Sequence, residues 1–159
     1  MKFSNIVNAI NTSDSFIKSL DPGNITHKEI ESHIVSGLVM LMVSEYEVHF
    51  EMLFNLRASR CGDGYVCNYI KKALNNSFRS PDLSKINETL KKFDTTYSEE
   101  VLSYQAANPQ VKNAWDTMMK ARHYITHKHG NAQITFLELK ALFLQTQNLI
   151  TAVENILEG

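Results

Sequence analysis

What most constrains this chain is how seldom it is interrupted. Three prolines and six glycines are the only strong breakers in 159 residues, and they sit where helices would end. Between them, apolar residues recur at helical spacing. Ile34, Leu38, Leu41, Met42, Met52, Leu53 and Leu56 form one long run, and Phe136, Leu139, Leu142, Phe143, Leu149, Ile150, Val153 and Ile156 another. That spacing lines one face of an α-helix. No segment alternates apolar and polar residues with a period of two, so no sheet is expected. The prediction is an all-α, up-down bundle of about five to six helices, a single domain over residues 1–159.

Local signals place the boundaries. A first helix is expected over residues 5–20, ended by a turn at Asp21-Pro22-Gly23. Thr26 and Glu29 have the T-x-x-E spacing of a capping box, which would satisfy the free N–H groups of a new start. Gly62-Asp63-Gly64 ends that helix, and a shorter one covers residues 65–75. Ser80-Pro81 pairs a cap residue with a first-turn proline and opens a helix to Phe93. Ser98-Glu99-Glu100 begins a further short helix. Asn108-Pro109 repeats the cap-and-proline signal, Gly130 with Asn131 stops the helix that follows, and Thr135 with Glu138 makes a second capping box.

Composition excludes several classes. With 43% apolar and 21% charged residues the chain resembles an ordinary globular protein. A formal net charge of −1 argues against a general polyanion-binding surface, though not against a local basic site. The segment MKFSNIVNAI has neither a long apolar core nor a small-residue cleavage site, so no secretory signal is expected. The longest apolar run, residues 34–43, is broken by Ser36 and Gly37 and falls short of a membrane span. Cys61 and Cys67 are too few for a disulfide scaffold and wrongly spaced for a metal knuckle. They read as small half-buried thiols in a reducing cytoplasm.

The chemistry concentrates in one place. Between residues 112 and 130 stand Lys112, Lys120, Arg122 and Lys128 against the single carboxylate of Asp116, together with His123, His127 and His129. Cations near a helix C-terminus interact favourably with the backbone dipole, by about 0.3–1 kcal/mol each. For Lys128 and His129 that accounts for much of the pattern. Arg122 and His127 offer more. A guanidinium presents a permanently charged fork of donors matched to phosphate oxygens, and an imidazole can take or give a proton near neutrality. Such a pair suffices to cut RNA without a metal. The histidine deprotonates a ribose 2′-hydroxyl, which attacks the adjacent phosphate, and the arginine stabilises the charge that builds on the phosphorus oxygens.

The stretch Arg122-His123-Tyr124-Ile125-Thr126-His127, followed by Gly130, resembles the R-x4-6-H motif of the HEPN superfamily, in particular its RiboL-PSP-HEPN and MAE-type groups. These are all-helical domains that include many metal-independent ribonucleases of toxin–antitoxin, phage-defence and RNA-processing systems. His123 matches the polar residue that often follows the motif arginine, and Gly130 the glycine soon after the motif histidine. Upstream, Glu47 in Ser44-Glu45-Tyr46-Glu47-Val48-His49-Phe50 resembles the acidic position on a long early helix of the family.

The resemblance implies Arg122 and His127 as catalytic residues, with Glu47 orienting Arg122. His123, Lys120, Lys128 and His129 would contact substrate. It implies no cofactor, and as partners RNA, a second copy of the chain and, in toxin–antitoxin systems, an antitoxin protein, with no membrane. His129 stands at R-x6-H and also satisfies the looser motif, but R-H-x-x-x-H is the commoner spacing and favours His127. Trp115 and the Met118-Met119 pair read as core, although an aromatic near a nuclease site can stack on a base.

Two other readings compete. His123 and His127 share a helix face at i, i+4, with His129 near as a third ligand, but Tyr124 occupies the position where a zincin helix needs glutamate. His27, His33 and His49 are scattered and read as helix-surface or core-edge residues. The second alternative is a HEPN-like module that binds RNA or protein without cutting, since family resemblance alone does not establish activity.

Overall fold

A computed structural model describes residues 2–21, 25–60, 62–77, 81–128 and 130–158. Pro22 and Gly23 of the expected turn, the expected Ser80 cap, Cys61 and His129 lie outside the described residues. Among the described residues there are seven helices and no strand: α1 Ser4–Ser19, α2 Ile25–Ser59, α3 Gly64–Ser77, α4 Leu83–Phe93, α5 Thr95–Ala107, α6 Pro109–Lys128 and α7 Phe136–Glu158. The fold is all-α. These seven correspond to the seven segments that the local signals mark out, one more than a bundle of five to six. No helix among the described residues is long and apolar enough to cross a membrane.

Three boundaries differ from expectation. At α4 the cap is Asp82, not Ser80: its carboxylate accepts the Lys85 N–H at 2.9 Å, so the helix starts at Leu83. Helix α5 starts ahead of Ser98, because Asp94 accepts the Thr96 N–H at 2.9 Å and the Thr96 hydroxyl at 2.8 Å. Helix α2 has already begun at Ile25, so Thr26 stands inside its first turn rather than at a cap.

The chain forms two compact units, Met1–Glu45 with Thr117–Leu144, and Tyr46–Asp116 with Gln145–Gly159. The first is built on buried Ile6, Ile10, Val35, Leu38, Val39, Met42, Met118, Leu139 and Phe143. Side chains of α2 hold the segment after α6. Ser36 Oγ accepts the Ala132 N–H at 2.7 Å, and Glu31 Oε1 accepts the Phe136 N–H at 3.0 Å. Lys140 on α7 reaches Asp14 on α1 at 2.8 Å.

The capping box at α7 is reciprocal. Thr135 Oγ1 accepts the Glu138 N–H at 3.2 Å, and Glu138 Oε2 accepts the Thr135 N–H at 2.7 Å and its hydroxyl at 2.9 Å. Those donors, the backbone N–H first, hold the Glu138 carboxyl below the ordinary carboxylate range. A depressed acid contributes stability that is present above its ordinary value and lost as pH falls through the lowered one. Glu138→Gln is therefore expected to flatten the acid limb of the unfolding profile where pH falls from the ordinary glutamate value, about 4.3, through the lowered one. Melting temperatures that track the parent at every pH would reject this role.

The second unit is aromatic. Trp115 is fully buried, stacks on Tyr46 with ring centroids 5.4 Å apart and meets Phe50 edge-on at 5.7 Å. Its indole N–H donates to the Pro81 carbonyl at 2.8 Å, so Pro81 anchors the segment before α4. The Tyr46 hydroxyl lies 2.7 Å from Thr146 Oγ1, and burial pushes its ionisation well up. His49 is half-buried with Nε2 2.6 Å from Glu154 Oε1. It is a core-edge residue, as expected, while His27 is half-buried and His33 exposed.

Candidate functional site

Helix α6 carries every described member of the expected site except Glu47. It starts where Asn108-Pro109 predicts: the proline occupies the first helical position, where its missing N–H costs nothing, and the Asn108 carbonyl accepts the Val111 N–H at 3.0 Å. Val111, Ala114, Trp115, Met118 and Ala121 form its buried face. The core readings of Trp115 and Met118 hold, and Met119 is half-buried. Trp115 is too enclosed to stack on a base.

The helix continues without interruption through Lys128, and this fixes the directions of the motif side chains. With about 100° per residue, His123, His127, Lys120 and Lys128 stand at about 100°, 140°, 160° and 240° from Arg122. The exposure agrees. His123, His127, Lys120 and Lys128 are exposed, whereas Arg122 is half-buried at the margin of the core face. The His123 and His127 rings pair, with centroids 4.5 Å apart. Thr126 Oγ1 donates back to the Arg122 carbonyl at 3.0 Å, inside the same turns. The structure thus spreads two imidazoles and two ammonium groups over an exposed arc of about 140° and sets the guanidinium at the margin of the buried face. Glu47 is half-buried on α2 and belongs to the second unit.

One contact was not legible from the motif. Gly130 lies directly beneath Tyr124: a Cβ there would fall on Cε1 of the tyrosine ring and come within 3.0 Å of Cζ. The glycine after the motif is needed for close approach, not for a positive φ. Tyr124, Lys120, Thr117 and Ala121 line an open groove of about 210 Å³ with Gln133 and Ile134. Gly130→Ala is expected to displace the ring at a cost of about 1 kcal/mol. In a Tyr124→Ala background the same change should cost almost nothing, and a cost that persists there would place the strain elsewhere. Ile125 is half-buried.

Among the described residues, no group of three or more His, Cys, Asp or Glu side chains is placed to hold a metal ion. Cys67 is half-buried, and its Sγ lies 3.2 Å from the Ala58 carbonyl.

An all-α chain with an arginine and a histidine four intervening residues apart on a helix near its C-terminus has the organisation of a HEPN domain. The RiboL-PSP-HEPN family model matches residues 3–159, and the chain belongs to that family. Membership supports a role in RNA cleavage or RNA binding. No curated protein and no solved structure shows significant similarity to the chain.

Proposed function

We propose that this chain is a metal-independent endoribonuclease that cleaves single-stranded RNA and works as a symmetric homodimer. Its setting would be cytoplasmic toxin–antitoxin, phage-defence or RNA-processing activity. The observation that carries the reading is the placement of Arg122 and His127 on α6, one half-buried and one exposed on a continuous helix. Both side chains have the chemistry of the reaction, and neither direction serves the other within one chain. A second copy related by a twofold axis near the motif supplies the missing partner at each phosphate.

His127 takes the 2′-hydroxyl proton as the 2′-oxygen bonds to phosphorus. The bond to the 5′-oxygen breaks, and that oxygen leaves with a proton returned by the imidazolium. Arg122 stabilises the charge on the non-bridging oxygens. His123, Lys120 and Lys128 hold neighbouring phosphates from the exposed face, and His129 is assigned there by its place in the sequence. Glu47 is a positioning residue, so Glu47→Ala weakens cleavage without eliminating it.

The products identify the chemistry. Single-stranded RNA should yield a 2′,3′-cyclic phosphate and a 5′-hydroxyl in the presence of EDTA, and the corresponding DNA should stay intact. Efficient cutting of a DNA oligonucleotide, or loss of activity on chelation, would defeat this mechanism.

A further inference from the structure

Helix α3 carries two tyrosines that no packing requirement explains. Tyr65 is 90% exposed and Tyr69 76% exposed. With Lys72 they occupy an arc of about 60° on the helix. Beside Tyr69 an open groove of about 330 Å³ runs between α3 and α4, lined by Ile70, Ala73, Leu74, Thr89, Lys92 and Phe93. The groove has a fixed base: the Phe93 ring stacks on buried Phe54 with centroids 6.0 Å apart.

The local charge is unlike that of the whole chain. Residues 64–93 hold Lys71, Lys72, Arg79, Lys85, Lys91 and Lys92 against only Asp82 and Glu88, in a chain whose net charge is −1. The carboxylates at either border are committed to helix starts. Asp63 accepts the Tyr65 N–H at 2.8 Å, and Asp94 accepts that of Thr96 at 2.9 Å. Lys72, Lys91 and Lys92 are exposed.

We infer that the α3–α4 face is a second RNA contact, on which the bases of a single strand stack against Tyr65 and Tyr69 while Lys72 and Lys92 meet its phosphates. Exposed aromatic faces interleaved with cations are how proteins hold single strands without reading sequence. The spacing suits an extended strand. Residues four apart rise about 6 Å along a helix, against about 3.4 Å between nucleotides of a stacked strand, so bases on both rings must be splayed. A protein partner fits less well. Lysine is depleted in protein interfaces, whereas the exposed tyrosines of α3 stand among the exposed ammonium groups of Lys72, Lys91 and Lys92. The inference rests on RNA as the partner of this chain, but not on cleavage.

The test is fluorescence anisotropy with a labelled 12-nucleotide single-stranded RNA, with every variant in the full-length His127→Ala chain so that the probe stays intact. Tyr65→Ala with Tyr69→Ala should weaken binding at least about thirtyfold, the lower range for two lost stacking contacts. Tyr65→Phe with Tyr69→Phe keeps the ring faces and should bind within about twofold of the parent. Lys72→Ala with Lys92→Ala should reduce the slope of log affinity against log salt by about 1.4. Far-UV circular dichroism checks that each variant is folded.

Unchanged RNA affinity in a folded double-alanine variant overturns the inference. So does unchanged affinity with altered sedimentation, which would assign the tyrosines to a second copy. Tyrosine-dependent binding by an otherwise native chain that never cuts RNA would support the inference and defeat the nuclease reading. Native cleavage that, like affinity, ignores the tyrosine changes would do the reverse.

Discussion

Arg122→Ala and His127→Ala proteins, each inactive alone, are expected to regain cleavage when mixed. Removing a general base or its charge-stabilising partner lowers rates by about 10²–10⁴, so each variant alone should fall near background while keeping its helical content. Mixing rescues because α6 runs unbroken through Lys128 and holds the two side chains about 140° apart. In the proposed dimer one chain would present the guanidinium and its partner the imidazole. In a heterodimer of the two variants, one composite site keeps both residues and the other loses both. Random exchange makes half the dimers heterodimers, so recovery should reach about a quarter of the native rate. Sedimentation at assay concentration checks the assembly. A fully active monomer, or exchange without rescue, would exclude a composite site. If His127→Ala cuts normally and His129→Ala does not, the working histidine is the one at R-x6-H.

Trp115→Ala should produce the largest loss of stability, about 3–5 kcal/mol. The side chain is fully buried, touches the rings of Tyr46 and Phe50, and hydrogen-bonds the Pro81 carbonyl. Against a total of about 5–15 kcal/mol for an ordinary domain, that is a large share. Trp115→Phe keeps an aromatic body but strands the carbonyl and leaves a void, and should cost about 1–3 kcal/mol. Urea unfolding followed by far-UV circular dichroism separates the two, since the alanine variant has no tryptophan to report. Equal midpoints for parent and Trp115→Ala would remove Trp115 from the core.

Much of the fold is legible in the sequence where a boundary has one physical signature. Asn108-Pro109 starts α6, Gly130 stands just beyond its end, and Thr135 with Glu138 closes a reciprocal box. Reading fails where several cap-competent residues crowd together. Ser80, Asp82 and Ser84 all lie near the start of α4, and only the bond to the Lys85 N–H selects Asp82. Asp94 escapes notice because it ends α4 and starts α5 without glycine or proline.

The chemistry of the motif is likewise legible, but its geometry is only half so. Spacing gives the angle between Arg122 and His127, while exposure on one side and half-burial on the other require the packed helix. The tie from Glu31 to the Phe136 N–H spans 105 residues, and no local pattern encodes it. The Tyr65 and Tyr69 pair is visible in sequence, but only its exposure distinguishes a platform from a core stripe.

The segment that follows the motif owes its position to α2. Ser36 fastens it at Ala132 and Glu31 at Phe136, so both restraints come from residues about a hundred positions upstream. In a scan of substitutions scored by the proposed cleavage, Glu31 and Ser36 are expected to rank among the sensitive positions although neither belongs to the proposed site. The segment carrying Gly130, and with it the ring of Tyr124, would wander without them. If the proposed site is the working one, sensitivity to mutation would map its guy-lines as well as the site itself, and the two would be told apart by binding chemistry rather than by loss of activity.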